Sequence, residues 1–329
     1  MLTRYQPSNN RFTSLLLCWP MNFRTDFMKQ LLTIFLICVF GNVLAEEIKT
    51  HELYLVHDDE TQNVSVYKQG EKTALITQNA EENFRPYLHP IIAPDEKKAL
   101  TQFSPGHHKH QTGVYWAFTR VNGRDYFHHP EKTHWKRKSV ELLKKQGTKV
   151  GWRTVYHLLG EDGSSVMEES QSWIVSHAKG KYTMDLEWSG LALKDLAVEK
   201  YNYGGLFLRM PFEKGAEAEA RNAQGQKNEA TEGQRSDWVN VGMEIEGLDS
   251  WGNITVFDHP DNPQHPNFWR VDRQFGFGPA SARGGSWTLN QGESRIYRHR
   301  LLVYTGTPNQ DLINQTWEEW VRGKSVAEE

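Results

Sequence analysis

The sequence predicts an all-β fold: a large antiparallel β-sandwich of the supersandwich kind, with few short helices. Three observations carry this. Apolar residues recur in short segments, several of them alternating with a period of two. Glycine, asparagine and aspartate punctuate those segments with hairpin-turn chemistry. Helical periodicity is strong in one stretch only, near the C-terminus.

The segments follow one another along the chain. HELYLVHD (51–58) alternates at its start, and NVSVYKQG (63–70) continues with Val64, Val66 and Tyr67. TGVYWAFTRV (112–121), WRTVYHLLG (152–160) and SSVMEESQSWIVS (164–176) come next. In KYTMDLEWSG (181–190), Met184, Leu186 and Trp188 share one face, and Asp185 and Glu187 the other. GNITVFDHP (252–260) and SRIYRHRLLVYTG (294–306) complete the set. Gly160-Glu161-Asp162-Gly163 and Val121-Asn122-Gly123 are turn sequences. SVELLKK (139–145) fits a short strand or one helical turn equally. In DLINQTWEEWVRG (311–323), Leu312, Ile313, Trp317, Trp320 and Val321 form one stripe, with Asp311 as the expected cap. Residues 213–235 contain no apolar side chain larger than alanine, which predicts a long polar surface loop.

The N-terminus reads as an export signal. From Met28, a lysine precedes an apolar run to Phe40 and a small-residue site at Val43-Leu44-Ala45. The run is short for a membrane span, which needs roughly 20 apolar residues. Residues 1–27 are expected to be an upstream extension, 28–45 a signal peptide, and 46–329 one β-sandwich domain in the periplasm or outside the cell. Cleavage removes both cysteines, Cys18 and Cys38, leaving no disulfide or thiol chemistry. The net charge is −3 and no basic stripe is present, which argues against a nucleic-acid partner. After signal removal no membrane span is expected.

Four clusters carry polar chemistry. FRPYLHPIIAPD (84–95) holds Arg85, Tyr87 and His89. FSPGHHKHQTGVYW (103–116) holds His107, His108, His110 and Trp116. RSDWVNV (235–241) holds Asp237 and Trp238. VFDHPDNPQHPNFWRV (256–271) holds Asp258, His259, Asp261, His265, Trp269 and Arg270. Prolines surround three of the four, and they stiffen loops at strand ends. Imidazole near its ordinary pKa exchanges protons at neutral pH, so His107, His110, His259 and His265 are candidate acid/base groups, with Asp258 beside them. Arg85, His89 and Asp237 are candidate hydrogen-bonding contacts to a substrate. Trp116, Trp238 and Trp269 are candidate platforms for a sugar face, whereas Trp173 and Trp188 read as core. His128, His129, His134, His157 and His177 read as solvated or structurally satisfied. No cofactor is expected. A divalent metal on His107 and His110, with His89, His259 or His265 as third ligand, is the alternative.

The ordered series RPYLHP, SPGHHKHQTGVYW with VNGRDYF, DWV, VFDHPDNPQHPNFW and LNQGESRIYRHRLLVYTG resembles the DUF6807 family, also labelled "methane oxygenase PmoA family". That label names a multi-span membrane protein, and this sequence has no such spans. The family's loop is closer to P-G-H-P-H-H-R-G. His107 and His110 match imidazole positions, His108 stands where Pro is usual, Lys109 replaces a His and Gln111 an Arg. The turn at Leu289 to Glu293, feeding a long final strand, is similar to the end of galactose-mutarotase-like supersandwiches. That resemblance implies a carbohydrate groove on a concave sheet, and leaves Glu293 structural or catalytic. The expected protein is an exported carbohydrate-active one, working on a saccharide or sugar derivative by His/carboxylate acid–base chemistry in one groove shared by the histidine loop and FDHPDNPQHP. A non-catalytic carbohydrate-binding protein and a His-ligated metal-dependent enzyme are the rival classes.

Overall fold

The computed structural model describes residues 52–95, 97–106 and 108–323. The expected leader and His107 lie outside the described residues.

Two large antiparallel sheets face each other. The nine-stranded sheet runs, edge to edge, Trp269–Val271, Gly276–Pro279, Gly205–Arg209, Val114–Ala117, Tyr87–Ile91, Ile76–Asn79, Val64–Lys68, Leu53–His57 and Gln146–Gly147. The eight-stranded sheet runs Ala218–Asn222, Trp238–Met243, Gly252–Asp258, Ser294–Thr305, Lys181–Ala192, Ser165–Ala178, Lys149–Leu159 and Trp135–Lys144. A small ribbon pairs Leu196–Val198 with Trp287–Leu289. The fold is thus the all-β sandwich that alternation predicts.

Alternation builds the layers. In Lys181–Ala192, Met184, Leu186 and Trp188 are buried, while Asp185 and Glu187 meet Arg300 and Arg298 across the pair to Ser294–Thr305. Trp188 stacks on Trp116 of the nine-stranded sheet at 4.6 Å, so the two tryptophans join the sheets through the core. Each such side chain contributes on the order of 2–3 kcal/mol by burial. Because side chains alternate, Tyr115 and its register partner Phe207 project from the opposite face to Trp116. On the far side of the eight-stranded sheet, Trp238, Phe257, Leu302, Tyr304 and Ile313 pack the helix Gln310–Arg322. The order of layers is therefore helix, eight strands, core, nine strands.

Local signals hold with specific exceptions. Asn122 and Gly123 adopt φ of 49° and 81°, the left-handed pair a tight turn requires. SVELLKK belongs to the edge strand Trp135–Lys144. The helix is capped by Asn309, whose side chain accepts from the Leu312 amide at 3.0 Å, and not by Asp311, which sits in its first turn. Residues 213–235 do not form one loop: they contain the strand Ala218–Asn222 and a 3-10 turn at Asn228–Thr231. Backbone pairing with Trp238–Met243 and buried Ala220, Asn222 and Thr231 supply what large apolar side chains do not. Among the described residues, no helix is long and apolar enough to cross a membrane.

Candidate functional site

The histidine loop projects from the nine-stranded sheet. Phe103 and Thr112 form a bridge at its base, and the Ser104 amide donates to the Gln111 carbonyl at 2.7 Å. Gly113, with φ +73°, closes it. A Cβ there would lie 2.2 Å from the Leu88 carbonyl oxygen, so only glycine lets the loop return this close to its neighbour.

Arg85 supports the loop from beneath. Its guanidinium donates to the carbonyls of Phe127 at 2.8 Å and His110 at 2.6 Å, and lies 3.6 Å over the Tyr115 ring. It has no exposed surface. Burial lowers its pKa to about 10, partly opposed by surrounding acidic groups. Arg85 is thus a scaffold for the loop and not the substrate contact expected from the sequence, because it is fully buried and its Nη donors go to the Phe127 and His110 carbonyls and the Thr112 hydroxyl.

Two adjoining cavities open beside the loop. The smaller, about 160 Å³, is lined by His108, His110, Phe127, His128, Tyr203 and Arg270 among others. The larger, about 550 Å³, includes Asn228, Glu232, Arg273 and Phe275. Arg270 and Asp272 line both, which makes one groove within the size range of small-molecule sites, about 300–1,000 Å³.

A hydrogen-bonded chain ends in the smaller cavity. Asp125 Oδ1 accepts the backbone amides of Phe127 and His128 at 2.9 and 3.0 Å, which fixes the carboxylate. Its Oδ2 lies 2.7 Å from His128 Nδ1, and His128 Nε2 lies 3.1 Å from the Tyr203 hydroxyl. Burial raises the Asp125 pKa, but the hydrogen bonds from His128 and the backbone outweigh it and hold the group ionised. An ionised Asp125 makes Nδ1 the donor, so Nε2 is left to accept from Tyr203 O–H. Burial and the neighbouring Tyr201 hydroxyl push the Tyr203 pKa up. His110 stands 4.7 Å from the His128 ring. Burial, then the neighbouring His128 and Arg85, lower its pKa to about 3, so His110 is neutral at physiological pH. Behind the chain, Arg209 is buried and pairs with Asp272 at 2.8 Å while donating to Gln111 at 2.6 Å.

The other expected residues lie elsewhere. Asp258 ends the strand Gly252–Asp258 with no exposed surface. Its carboxylate accepts from Asn262 at 2.7 Å, the Asn267 amide at 2.8 Å, the Asn267 side chain, and His265 Nδ1 at 3.0 Å. His265 Nε2 lies 3.3 Å from Asp237, and its ring stacks on Trp317 of the helix. Burial opposes the charge on His265, but Asp237 and Asp258 outweigh it and lift its pKa to about 9. Burial likewise opposes the Asp258 charge; His265, His299 and Asn262 hold its pKa below the usual range. His259 is buried against Trp320. Asp237, Asp258, His259 and His265 thus come together in a knot beside the helix, and none of them lines the groove. From that stretch of sequence only Arg270, Val271 and the adjoining Asp272 and Arg273 reach it.

His89 bonds Thr101 at 3.0 Å and lies against Phe103, outside both cavities. Trp116, Trp238 and Trp269 are each at most 1% exposed, so they are core side chains and not platforms. Trp116 fills the space between the sheets, Trp238 packs under the helix, and Trp269 Nε1 donates to the Ser236 carbonyl. Glu293 accepts the Asn290 amide at 2.7 Å and closes its turn, a structural role. The sequence reading missed Asp125, His128 and Tyr203. The D-x-x-H spacing in RDYFHH was available as a signal, but Tyr203 lies 75 residues further on. Among the described residues, no group of three or more His, Cys, Asp or Glu is arranged to hold a metal ion.

The family model described as "Family of unknown function (DUF6807)" matches residues 55–318. No curated protein matches the chain. Solved structures that match the chain in part include the GH36 α-galactosidase AgaB from Geobacillus stearothermophilus, at 10% identity and TM-score 0.42, covering 76% of this chain and 41% of that one. The α-galactosidase from Lactobacillus brevis is 10% identical with TM-score 0.39, covering 77% and 39%. A galactose mutarotase related enzyme from Lactobacillus acidophilus is 7% identical with TM-score 0.28, covering 78% and 99%. The chain thus spans about two fifths of the α-galactosidases' length.

Proposed function

The chain belongs to the DUF6807 family, and from that premise we propose that it is an exported carbohydrate-active enzyme performing acid–base chemistry on a saccharide or sugar derivative. One observation carries the reading: the Asp125–His128–Tyr203 chain ends in a groove lined also by His108, His110 and Arg270. A raised pKa keeps the Tyr203 hydroxyl protonated, and a phenolic oxygen that donates its proton to His128 keeps acceptor capacity for a substrate hydroxyl. As that hydroxyl gives up its proton to Tyr203, the phenolic proton passes to His128 Nε2. Asp125 holds the imidazole in the tautomer that receives it and stabilises the resulting imidazolium. Run in reverse, the same chain returns a proton to an oxygen. Neutral His110 offers a further hydrogen-bonding edge without adding charge. The half-buried Tyr203 ring supplies apolar surface beside the reacting hydroxyl, and Arg270 donates to hydroxyl or carboxylate oxygens.

The test is a thermal-shift screen of wild-type protein against monosaccharides, oligosaccharides and oxidised sugars, followed by turnover of the hits. Turnover that His128→Gln and Tyr203→Phe both abolish, with binding retained, supports the enzyme. Binding without turnover in the wild type would leave a carbohydrate-binding protein instead.

A further inference from the structure

The larger cavity is not used by the Asp125–His128–Tyr203 chain, yet it is continuous with the smaller one at Arg270 and Asp272. It has more than three times the smaller cavity's volume. The smaller one has about the bulk of a single sugar ring, so a monosaccharide would leave the larger one filled with water.

The wall of the larger cavity is built at a cost. Phe275 has φ +58°, a left-handed conformation that bulky side chains rarely adopt, and it lines the cavity. Its turn is held by Asp272, whose Oδ1 accepts the amides of Gln274 and Gly276 at 2.8 and 3.0 Å. Asp272 is itself fixed by buried Arg209. Phe275 rests on Phe212 at 5.0 Å. A glycine would satisfy this turn without strain, yet the position holds an aromatic ring. Around it stand planar polar groups: Asn228, Glu229, Glu232 and Arg270. Glu232 Oε1 is shared by Arg270 at 3.1 Å and Arg283 at 2.8 Å, so the Arg270 guanidinium keeps donors for another acceptor. One flat apolar face with planar hydrogen-bonding groups beside it is the chemistry that recognises a pyranose.

We propose that the larger cavity is a second sugar subsite, and that the substrate is an oligosaccharide or glycoside and not a free monosaccharide. The reacting unit lies at Tyr203 and His110, the next unit lies against Phe275, and Arg270 spans the junction. This rests on the saccharide reading of the groove given above.

The experiment is calorimetric titration of the full chain with glucose, galactose, mannose and xylose, each as monomer and as homo-oligomers of two to four units. The expected result is an affinity gain of about tenfold from one unit to two for at least one series. Phe275→Gly should bring the dimer-to-monomer affinity ratio close to one, relief of the left-handed strain offsetting part of the packing lost on Phe212. Phe275→Leu, which keeps apolar packing on Phe212 but no flat face, serves the same purpose if the glycine variant fails to fold. Binding of a monosaccharide with no gain on lengthening overturns the subsite and leaves the saccharide reading intact. A gain that survives in both Phe275 variants also overturns it. Binding of no sugar of any length overturns the saccharide reading, and the subsite with it.

Discussion

His128 and His265 are both held between two partners, and the partners make them opposites. His128 lies between one carboxylate and the Tyr203 hydroxyl, and its chain ends at a cavity. His265 lies between two carboxylates, Asp258 and Asp237, and its ring is covered by Trp317. Two carboxylates fix the imidazole in its charged form, with its pKa near 9. An acid that holds its proton this firmly is poorly matched to proton transfer near neutrality, where the useful pKa lies close to the working pH. The Asp258 loop carries as many histidines as RDYFHH and more carboxylate and proline, but its groups satisfy one another. Density of functional side chains is therefore a weaker guide than whether one of them is left facing a cavity.

The largest contrast is expected in turnover. His128→Gln and Tyr203→Phe should each lower the rate on the saccharide found by screening by about 10²- to 10⁴-fold, with the thermal midpoint little changed. Equal loss of stability and rate in Tyr203→Phe would assign the chain a structural role. Asp258→Ala should do the reverse: removing one partner of a buried ion pair costs about 3–5 kcal/mol. Denaturant unfolding measures that loss, while saccharide affinity of the remaining folded protein should hold.

The pH dependence separates the two regions by sign. The His265 pKa is raised from 6.5 to about 9 on folding. Its contribution is fully present below pH 6.5 and is lost as pH rises through 9. The His110 pKa is instead lowered from 6.5 to about 3. Its contribution is present above pH 6.5 and is lost as pH falls toward 3. Denaturation midpoints from pH 4 to 10 should therefore show a shallower alkaline limb in His265→Gln and a shallower acid limb in His110→Gln. The same limb changing in both variants would break the distinction. The smallest effect is expected at His129, adjacent to His128 in the chain but half-exposed, with Glu131 and the His134 ring as its side-chain neighbours. His129→Ala should leave rate and affinity unaltered and change stability by no more than about 0.5 kcal/mol.

The sequence by itself determined the sheets, the turns and the C-terminal helix. Period-two burial in Lys181–Ala192, the Asn122-Gly123 turn and the stripe through Ile313 and Trp317 are local properties, fixed by backbone geometry a few residues at a time. Local composition failed at 213–235, where cross-strand pairing to Trp238–Met243 made a strand from a stretch with almost no apolar content. The candidate site was legible in part: His110 and Arg270 face the groove, as candidates from their clusters. Only the tertiary structure decided the rest. Alternation indicates that Tyr115 and Trp116 point opposite ways, but not which one enters the core, and Trp116 does. An imidazole's role depends on what lies at each nitrogen. For His128 that partner comes from 75 residues away, and for His265 from two carboxylates on separate segments. Long-range packing chooses such partners, and the residue types in a single loop do not record the choice.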